Sequence, residues 1–549
     1  MTRLIECVPN FSEGRDPDII RQITASIEAV AGVRLLNVDP GKATNRTVVT
    51  FGGAPEAVIE AAFQAIHTAG TLIDMRRHSG AHPRLGATDV CPLIPVSGVT
   101  MAETVEYARR LAERVGGELS LPVYLYEAAQ PDKHRSNLAT IRAGEYEGLA
   151  QKLSQPEWKP DFGPAQFDAQ RGATVIGARD FLVAYNVNLN TTSTRRANAI
   201  AFDIREAGRK VKDTAGNEVV QPGTLKAVKA IGWYIAEYGV AQISMNLVDL
   251  NITPVHVAFD EACRAAQARG VRVTGSELVG LLPLKCLLDA GRYFLEQQQR
   301  STGVPERELV RLAVRSLGLD ELAPFNPEER VIEYLLQDKK NSPLVRMTLT
   351  DFANETASES PAPGGGSIAA YIGALGAALG TMVANLSSHK RGWDERWKEF
   401  SDQANTGQQF TRELLDLVDE DTAAFTRVLT ALGLPKTTDG EKTLRHNAIQ
   451  NATRTATEVP FRAMQAALGS MSLIKSMAST GQESSVSDAG VGALCARSAV
   501  MGAYLNVKIN AASLTDKAFA ADLVSRGAEI ERQAQALESE ILMIVNGKI

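Results

Sequence analysis

The chain has 549 residues with a formal net charge of -6, and 44% of its residues are hydrophobic and 22% charged. This length predicts about two to four globular domains of roughly 100–200 residues each, and the mild charge without a basic run argues against nucleic acid as a partner. The five cysteines lie far apart without a CxxC pair, and no apolar leader segment follows Met1. We therefore expect reduced thiols and a cytoplasmic protein without a signal peptide.

Strand-like and helix-like segments alternate through the first half of the chain. The segments "RLIECVPNF", "VRLLNVD" and "NRTVVTFGG" have the composition of strands, whereas "DPDIIRQITASIEAVAG" and "APEAVIEAAFQAIHTAG" have apolar residues at helical spacing. This alternation predicts α/β layers in which helices cover sheets. The turn-rich segment "QPEWKPDFGPAQ" further predicts two subdomains, which we place at residues 1–180 and 181–326.

The composition changes after residue 326. The charged, proline-containing stretch at residues 327–345 is typical of a linker between domains. From Thr348 onward, Ala, Leu, Glu and Met dominate long runs with helical periodicity, such as "SLTDKAFAADLVSRGAEIERQAQALESEILMIV". Short connections between such runs predict an all-α antiparallel bundle over residues 346–549.

The densest group of chemically capable residues in the first half is "RRHSGAHPRLGATDVCPLIPV", which begins at Arg76. His82 precedes Pro83, which favours an extended backbone, and an imidazole can transfer a proton near neutral pH. A polar loop whose histidine only hydrogen-bonds its neighbours explains the same residues equally well. A metal site built on His78 and His82 is less attractive, because no third ligand follows at a suitable spacing.

A second candidate lies in the helical half, in "FTRELLDLVDEDTAAFTRVL". The apolar stripe of this predicted helix runs from Phe410 to Val428, and Asp421 occupies a gap in it. Desolvation raises the pKa of a carboxyl on a buried face, which is the condition for a general acid near neutral pH. The alternative is a structural aspartate bonded to a neighbouring helix, and the residues alone favour that alternative.

The glycine-rich stretch "PAPGGGSIAAYIGALGAALGTMVANL" follows the linker. It lacks the Gly-Lys-Ser/Thr ending of a P-loop. Its apolar run is close to the roughly 20 residues of a membrane span, but alanine and glycine provide most of its apolar character. We therefore predict a central helix of a soluble bundle, with Ser367 as its N-cap and with free amides at Gly364–Gly366 that could hold an anion.

Several motifs together resemble two known families. The segments "ECVPNFSEG", "TNRTVVTFGG", "RHSGAHPRLGATDVCPLIPV" and "GATVIGARDFLVAYNVNL" resemble glutamate formimidoyltransferase, and the resemblance extends to about residue 326. The segments "APGGGSIAA" and "LVDEDTAAF" resemble formimidoyltetrahydrofolate cyclodeaminase. In this order, nearly the whole chain resembles the bifunctional formimidoyltransferase-cyclodeaminase family of histidine degradation.

The resemblance implies an α/β transferase of two subdomains with folate between them, followed by an all-α helical-bundle cyclodeaminase domain. It implies transfer of a formimidoyl group from N-formimidoyl-L-glutamate to N5 of tetrahydrofolate, which is a co-substrate and can be polyglutamylated. Cyclisation to 5,10-methenyltetrahydrofolate would then release ammonia, and neither step needs a metal. The resemblance also implies a homo-oligomer that dimerises at least through the helical domain, and the composition of the glycine-rich helix predicts no membrane span.

The family's functional residues fall on specific positions of this chain. The catalytic acid/base residues would be His82 in the transferase and Asp421 in the cyclodeaminase. The folate-binding stretch would comprise Gly163, Pro164, Ala165, Gln166, Phe167, Asp168, Ala169, Gln170, Arg171 and Gly172. Weaker candidate folate contacts are Gly364, Gly365, Gly366, Ser367 and Asp488, and after Asp488 come Asn506 and Asn510.

Three arginines are further candidates for substrate binding. Arg46, Arg84 and Arg179 could bind the carboxylates of glutamate or of the folate tail, although each could equally be a surface arginine. The chain could instead transfer formyl groups, or it could be a folate-binding scaffold without turnover. An acid/base candidate in each half favours an enzyme over the scaffold.

Overall fold

The computed structural model describes residues 3–42, 44–80, 83–212, 214, 216–336 and 344–549. The chain forms two compact units. The first unit comprises Met1–Ala290 with Val314–Gln337, and the second comprises Gly291–Ala313 with Asp338–Ile549. The fold class predicted from the sequence is confirmed, because sheets covered by helices form the first unit and long helices form the second.

All strands in the described part of the chain lie between Leu4 and Val279. They are β1 (Leu4–Cys7), β2 (Asn10–Phe11), β3 (Val33–Gly41), β4 (Arg46–Gly53), β5 (Thr88–Ser97), β6 (Val123–Glu127), β7 (Thr174–Ala178), β8 (Val183–Leu189), β9 (Arg209–Lys212), β10 (Glu218–Gln221), β11 (Val228–Ile235), β12 (Val240–Leu247) and β13 (Val273–Val279).

The helices in the described part of the chain are mostly short before Gly364 and long after it. They are α1 (Pro17–Glu28), α2 (Pro55–Leu72), α3 (Met101–Glu118), α4 (Leu138–Arg142), α5 (Glu145–Leu153), α6 (Thr194–Ile204), α7 (Val255–Ala268), α8 (Leu284–Gln297), α9 (Glu306–Leu317), α10 (Pro327–Arg330), α11 (Ile332–Leu336), α12 (Leu349–Thr356), α13 (Gly365–Ser388), α14 (Trp397–Leu432), α15 (Asp439–Thr480), α16 (Val486–Ala512) and α17 (Lys517–Asn546).

The larger sheet has the strand order β1-β4-β2-β5-β7-β6, and β3 pairs with β4 at one side. Strands β1 to β5 pair antiparallel, whereas β7 runs parallel to both β5 and β6. Helices α1, α2 and α3 cover one face, and Ile5 and Cys7 of β1 are fully buried in that core. Because side chains alternate along a strand, the intervening residue Glu6 faces the other side of the sheet.

The smaller sheet has the order β11-β12-β8-β13, and all its pairs are antiparallel. Helices α6 and α7 pack against it. Tyr185, Val187 and Ile243 of the sheet and Ala197 and Ile200 of α6 are fully buried. The two sheets therefore have separate helical layers. On the other face of the larger sheet, Val90 and Tyr126 form a second buried cluster with Ile141 of α4 and Leu149 of α5.

The predicted linker at residues 327–345 begins with folded structure. Helices α10 and α11 occupy its first half, and Val331 and Ile332 between and within them are buried. Val331 forms a β-bridge with Leu282 of the first unit. The apolar run "VIEYLL" thus packs with the α/β unit. Residues 337–343 of the predicted linker lie outside the described part of the chain.

Helix α13 is the central helix of the bundle, as the sequence predicted, and packs against α14, α15 and α16. It is long and apolar enough to span a membrane, but 61% of its most apolar window is buried inside the bundle. Small residues allow neighbouring backbones to approach closely. A Cβ at Gly376 would lie 2.8 Å from the carbonyl oxygen of Gly492, and one at Gly373 would lie 3.1 Å from Cβ of Ala499.

Candidate active sites

A cavity of about 890 Å³ lies in the first unit between the larger and the smaller sheet. Its walls carry charged side chains of both signs. The cations are Arg46, Arg142, Arg179 and Lys229, and the carboxylates are Glu6, Asp39, Glu127, Asp180 and Asp249. Such a crevice fits a ligand that itself carries both positive and negative groups.

One of the crevice arginines, Arg142, is fixed by a buried carboxylate. Arg142 binds Asp89 through two nitrogens, with 3.2 Å between Nε and Oδ1. Asp89 is fully buried and also accepts the backbone N–H of Leu85 at 3.0 Å. Burial, and next the nearby charge of Arg142, lower the pKa of Arg46 from its ordinary value. Arg46 and Arg142 thus form a cationic wall of the crevice.

Glu6 is the most deeply buried carboxyl on the wall of the crevice, with 4% of its surface exposed. Burial raises its pKa from 4.5 to about 7, and the positive charge of Arg179 opposes that rise. A carboxyl in this state changes its charge with small changes in its surroundings. Sequence reasoning missed Glu6, although the alternation of apolar residues in "LIEC" places it on the opposite face from the core.

Arg84, one of the three predicted carboxylate-binding arginines, is already bound within the chain. Its guanidinium donates to Glu147 at 2.6 Å and to Glu145 at 3.0 Å. Its Nε donates to Nδ1 of His78 at 3.2 Å, so the other ring nitrogen, Nε2, donates to the carbonyl oxygen of Asn45 at 2.9 Å. Arg84 does not line the crevice, whereas Arg46 and Arg179 do.

The predicted catalytic residue His82 lies outside the described residues, together with Ala81. The described residues on either side of this position border a second cavity of about 440 Å³. That cavity is lined by His78, Ser79, Gly80, Arg84, Gly144, Glu145 and Glu147. Gly80 packs tightly, because a Cβ there would lie 3.0 Å from Cβ of Asn45.

The predicted folate-binding stretch, Gly163 to Gly172, lies beside the histidine-containing block. Gly172 forms a β-bridge with Gly86, and the carbonyl oxygen of Arg171 accepts the N–H of Ala87 at 2.8 Å. Residues 163–166 are exposed, and none of the ten residues lines the crevice of about 890 Å³. The stretch therefore places backbone groups beside the histidine-containing block, and it contributes no side chain to the crevice.

The stretch is held in place by its own side chains. Asp168 forms an ion pair with Arg171 at 2.7 Å and accepts the N–H of Gln170 at 3.0 Å. The ring of Phe167 packs 5.5 Å from that of Tyr146. Gly172 has a φ of 71°, in the left-handed region that favours glycine.

Asp421 forms the candidate site of the helical unit. Its Oδ2 accepts the hydroxyl of Ser367 at 3.0 Å, and the backbone N–H of Ser367 is a further hydrogen-bond partner. Burial raises the pKa of Asp421, and the two hydrogen bonds from Ser367 counteract part of that rise. The hydroxyl of Thr422 lies 3.1 Å from that of Ser367. A half-buried carboxyl is thus fixed against the first turn of α13.

The glycines before Ser367 make this approach possible. A Cβ at Gly366 would lie 2.6 Å from Cγ of Asp421, and one at Gly365 would lie 3.4 Å from Nδ2 of Asn506. The predicted N-cap at Ser367 is wrong, because α13 begins at Gly365 and Gly364 is its N-cap. The serine hydroxyl bonds to Asp421 instead of capping the helix.

The structure does not bring Asp488 to this site. Asp488 lies in the first turn of α16, and Asn506 lies 18 residues later, which corresponds to about 27 Å along a helix. Asn506 is the residue near Gly365, whereas the amide of Asn510 donates to the carbonyl oxygen of Ala456 at 2.7 Å. Because α16 packs antiparallel to α13, only its C-terminal half meets the glycine turn.

Two units with separate polar sites define a two-domain protein with an α/β part and a helical part. Family models match both parts. The model described as "Formiminotransferase domain, N-terminal subdomain" matches residues 4–179, "Formiminotransferase domain" matches residues 184–337, and "Formiminotransferase-cyclodeaminase" matches residues 348–529. The chain belongs to the formimidoyltransferase-cyclodeaminase family, which confirms the resemblance predicted from its motifs.

Individual relatives match either the whole chain or one part of it. A formimidoyltransferase-cyclodeaminase of Mus musculus is 45% identical over 520 residues, which cover 94% of both chains. A glutamate formimidoyltransferase of Streptococcus pyogenes is 39% identical over 54% of this chain and 94% of its own. A methenyltetrahydrofolate cyclohydrolase of Methylorubrum extorquens is 37% identical over 37% of this chain and 97% of its own.

Proposed function

We propose that the chain catalyses two consecutive folate reactions. The first transfers the formimidoyl group of N-formimidoyl-L-glutamate to N5 of tetrahydrofolate. The second cyclises 5-formimidoyltetrahydrofolate to 5,10-methenyltetrahydrofolate and releases ammonia. The observation that carries the proposal is the fixed, half-buried carboxyl of Asp421 in a chain that is 45% identical to a bifunctional relative over 94% of its length.

In the first step, N5 attacks the amidine carbon, and the tetrahedral adduct loses a proton from N5 while the glutamate nitrogen gains one. We propose His82 as the group that moves both protons, since an imidazole can act as base and acid near neutral pH. The crevice supports this step, because its cations suit the two carboxylates of the donor and its carboxylates suit the amidine. Residues 163–172 would hold folate beside the histidine block.

In the second step, N10 attacks the formimidoyl carbon and loses its proton, and the departing nitrogen must gain protons to leave as ammonia. We propose that Asp421 mediates these transfers. Its raised pKa keeps a fraction of the carboxyl protonated closer to neutral pH than an exposed aspartate would be. The turn at Gly364–Gly366 and Asn506 would contact the folate beside it.

The test is one coupled assay with two variants. Purified protein receives tetrahydrofolate and N-formimidoyl-L-glutamate, and both ammonia release and methenyl absorbance are followed. His82→Ala should stop the first step while supplied 5-formimidoyltetrahydrofolate still cyclises, and Asp421→Ala should do the reverse. No turnover by the wild type would leave a scaffold as the better account, and preferred turnover of N-formyl-L-glutamate would indicate a formyl-transferring enzyme.

A second candidate activity concerns the helical unit alone. A relative that matches 37% of this chain is named methenyltetrahydrofolate cyclohydrolase, and attack of water on the methenyl carbon needs a general base as the cyclisation does. Supplied 5,10-methenyltetrahydrofolate should then lose its absorbance faster with wild type than with Asp421→Ala. Decay at the buffer rate with both proteins would exclude this activity.

We also propose that the chain dimerises through its helical unit. Adjacent helices α13 and α16 expose apolar side chains at helical spacing, namely Leu375, Met382, Leu386, Val491, Leu494, Leu505 and Ile509. The double variant Met382→Glu with Leu494→Glu should halve the mass measured by light scattering. Met543→Glu on α17, at an exposed site outside this face, is the matched control and should keep the wild-type mass.

We also propose that tetrahydrofolate is the co-substrate, in a polyglutamylated form, and that the protein is cytoplasmic. All five cysteines are free thiols, as expected in a reducing compartment. Within the described ranges, no group of three or more His, Cys, Asp or Glu side chains is placed to hold a metal ion. We propose that neither reaction needs a metal, so activity should survive extensive dialysis against a chelator, and its loss would point to a required metal.

A further inference from the structure

Glu6 places a carboxyl in the middle of the larger sheet. It lies on β1 between β4 and β5, opposite Gly52 on one side and Ile94 on the other. Its neighbours Ile5 and Cys7 are fully buried in the core behind the sheet. Glu6 itself faces the crevice. The side chain of Leu336 covers the neighbouring Gly52, since a Cβ there would lie 3.0 Å from Cδ1 of Leu336.

The carboxyl of Glu6 is buried without a hydrogen-bond donor. It accepts no hydrogen bond from the part of the chain that the structure describes, and the charged groups that act on it are Arg179 and Glu333. A buried carboxylate without hydrogen-bond donors weakens a fold. A ligand that brings two N–H groups and a positive charge would remove that penalty.

The donor substrate brings such a group. This step rests on the proposed function, in which the donor is N-formimidoyl-L-glutamate. A protonated amidine holds its charge over two N–H groups on one carbon, and that geometry matches a carboxylate as a guanidinium does. The same donor carries two carboxylates, and Arg179 stands beside Glu6 to receive one of them. The pair of opposite charges thus fits the two ends of one molecule.

We propose that Glu6 binds the protonated formimidoyl group of the donor and makes the transferase select a formimidoyl donor over a formyl donor. Glu6 is then a binding residue of the first reaction. Holding the amidine in its charged form also keeps its carbon electrophilic for attack by N5. A formyl group is neutral and has no second nitrogen, so it leaves the Glu6 carboxyl without its partner.

The other crevice carboxylates are less suited to this role. Asp39 and Glu127 are exposed, where water competes for the amidine and screens its charge. Burial, and next the negative charge of Asp249, raise the pKa of Asp180, but Asp180 and Asp249 are both only half-buried. Glu6 alone among these five combines nearly complete burial with a position on the wall of the crevice.

The experiment measures kcat and KM of the transferase for N-formimidoyl-L-glutamate and for N-formyl-L-glutamate. Glu6→Gln should raise the KM for the formimidoyl donor roughly 10- to 100-fold, the range for a lost hydrogen bond to a charged group. The KM for tetrahydrofolate should stay within a few-fold of wild type. The preference for the formimidoyl over the formyl donor should fall by the same factor, and Glu6→Asp should restore part of it.

Two controls make the outcomes distinct. Glu56→Gln changes an exposed glutamate of α2, outside the crevice, and should keep both KM values. Cyclisation of supplied 5-formimidoyltetrahydrofolate reports only on the helical unit, so urea unfolding and the KM for tetrahydrofolate report whether the α/β unit of each variant is folded. If Glu6→Gln folds, an unchanged KM and an unchanged donor preference in this variant would overturn the assignment of Glu6. If Glu6→Gln does not fold, equal values in wild type and Glu6→Asp would overturn it. Absence of turnover by the wild type would instead overturn the proposed function.

Discussion

Replacing Gly366 by alanine tests whether the cyclisation depends on the exact place of the Asp421 carboxyl. The new Cβ would lie 2.6 Å from Cγ of Asp421, about 1 Å inside the ordinary carbon–carbon contact of roughly 3.5–4.0 Å. Gly366 occupies the second position of α13, and alanine is a good helix former there. The carboxyl therefore has to move by about 1 Å, while the helix can keep its start.

The size of the effect follows from this displacement. Moving a reacting group by about 1 Å costs on the order of 100-fold in rate, which is about 2.7 kcal/mol in activation free energy. Asp421→Asn removes the proton transfer itself and sets the upper limit, at roughly 100- to 10,000-fold. The assay is cyclisation of supplied 5-formimidoyltetrahydrofolate, followed by methenyl absorbance and by ammonia release. The transferase rate, measured separately, should not change.

The matched control is Gly440→Ala. Gly440 occupies the second position of α15, and a Cβ there would meet no atom within 4 Å. This variant should cyclise at the wild-type rate and unfold at or slightly above the wild-type temperature. The reasoning is refuted if Gly366→Ala cyclises within a few-fold of wild type while Asp421→Asn is inactive, because the carboxyl would then tolerate displacement.

The charges of Asp421, Glu6 and Asp89 each have a measurable consequence. Ser367→Ala removes a hydroxyl that lowers the pKa of Asp421, so the limb of the cyclisation pH profile due to Asp421 should move to higher pH. The pKa of Glu6 rises from 4.5 to about 7 on folding. Ionisation of Glu6 therefore lowers the free energy of unfolding increasingly as the pH rises from 4.5, and the loss is complete above pH 7 at about 3 kcal/mol. Urea unfolding should show that Glu6→Gln is more stable than wild type at pH 8 and equally stable at pH 4. Asp89→Asn leaves the cation of Arg142 without its buried carboxylate and should lower the free energy of unfolding by about 3–5 kcal/mol, measured in the same way.

Local patterns in the sequence were sufficient to predict the fold class. Alternation of strand and helix periods in the first half and helical periods after Thr348 arise within single elements, so they can be read without knowing the partners. The pairing of β1 between β4 and β5 could not be read in this way. Those strands lie about 45 and 90 residues apart in the chain, and their order depends on how the whole sheet closes. For that reason the sequence did not reveal that Glu6 faces a crevice.

The helical site shows the same limit within one helix. Asp488 and Asn506 both lie on α16, and both interrupt an apolar run with a polar side chain. Nothing within α16 distinguishes them, since each has its own polar environment to satisfy. The distinction comes from α13, whose glycine turn meets the C-terminal half of α16 because the two helices pack antiparallel. A polar residue in a bundle can therefore be assigned to a site only when the direction of the neighbouring helix is known.

Gly366 illustrates the reverse case, in which a sequence signal was present but its meaning depended on a distant residue. The run Gly364–Gly366 predicted open backbone amides for an anion, and the ligand that the structure places there is the carboxylate of Asp421. This carboxylate already accepts the backbone N–H of Ser367. An external anion at the same turn would therefore bind beside the negative charge of Asp421 and compete with it for this N–H. A folate carboxylate is consequently expected to bind better to Asp421→Asn than to wild type if it docks at this turn. Equal affinities of the two proteins for a non-reactive folate, measured by calorimetry, would place the folate carboxylate elsewhere.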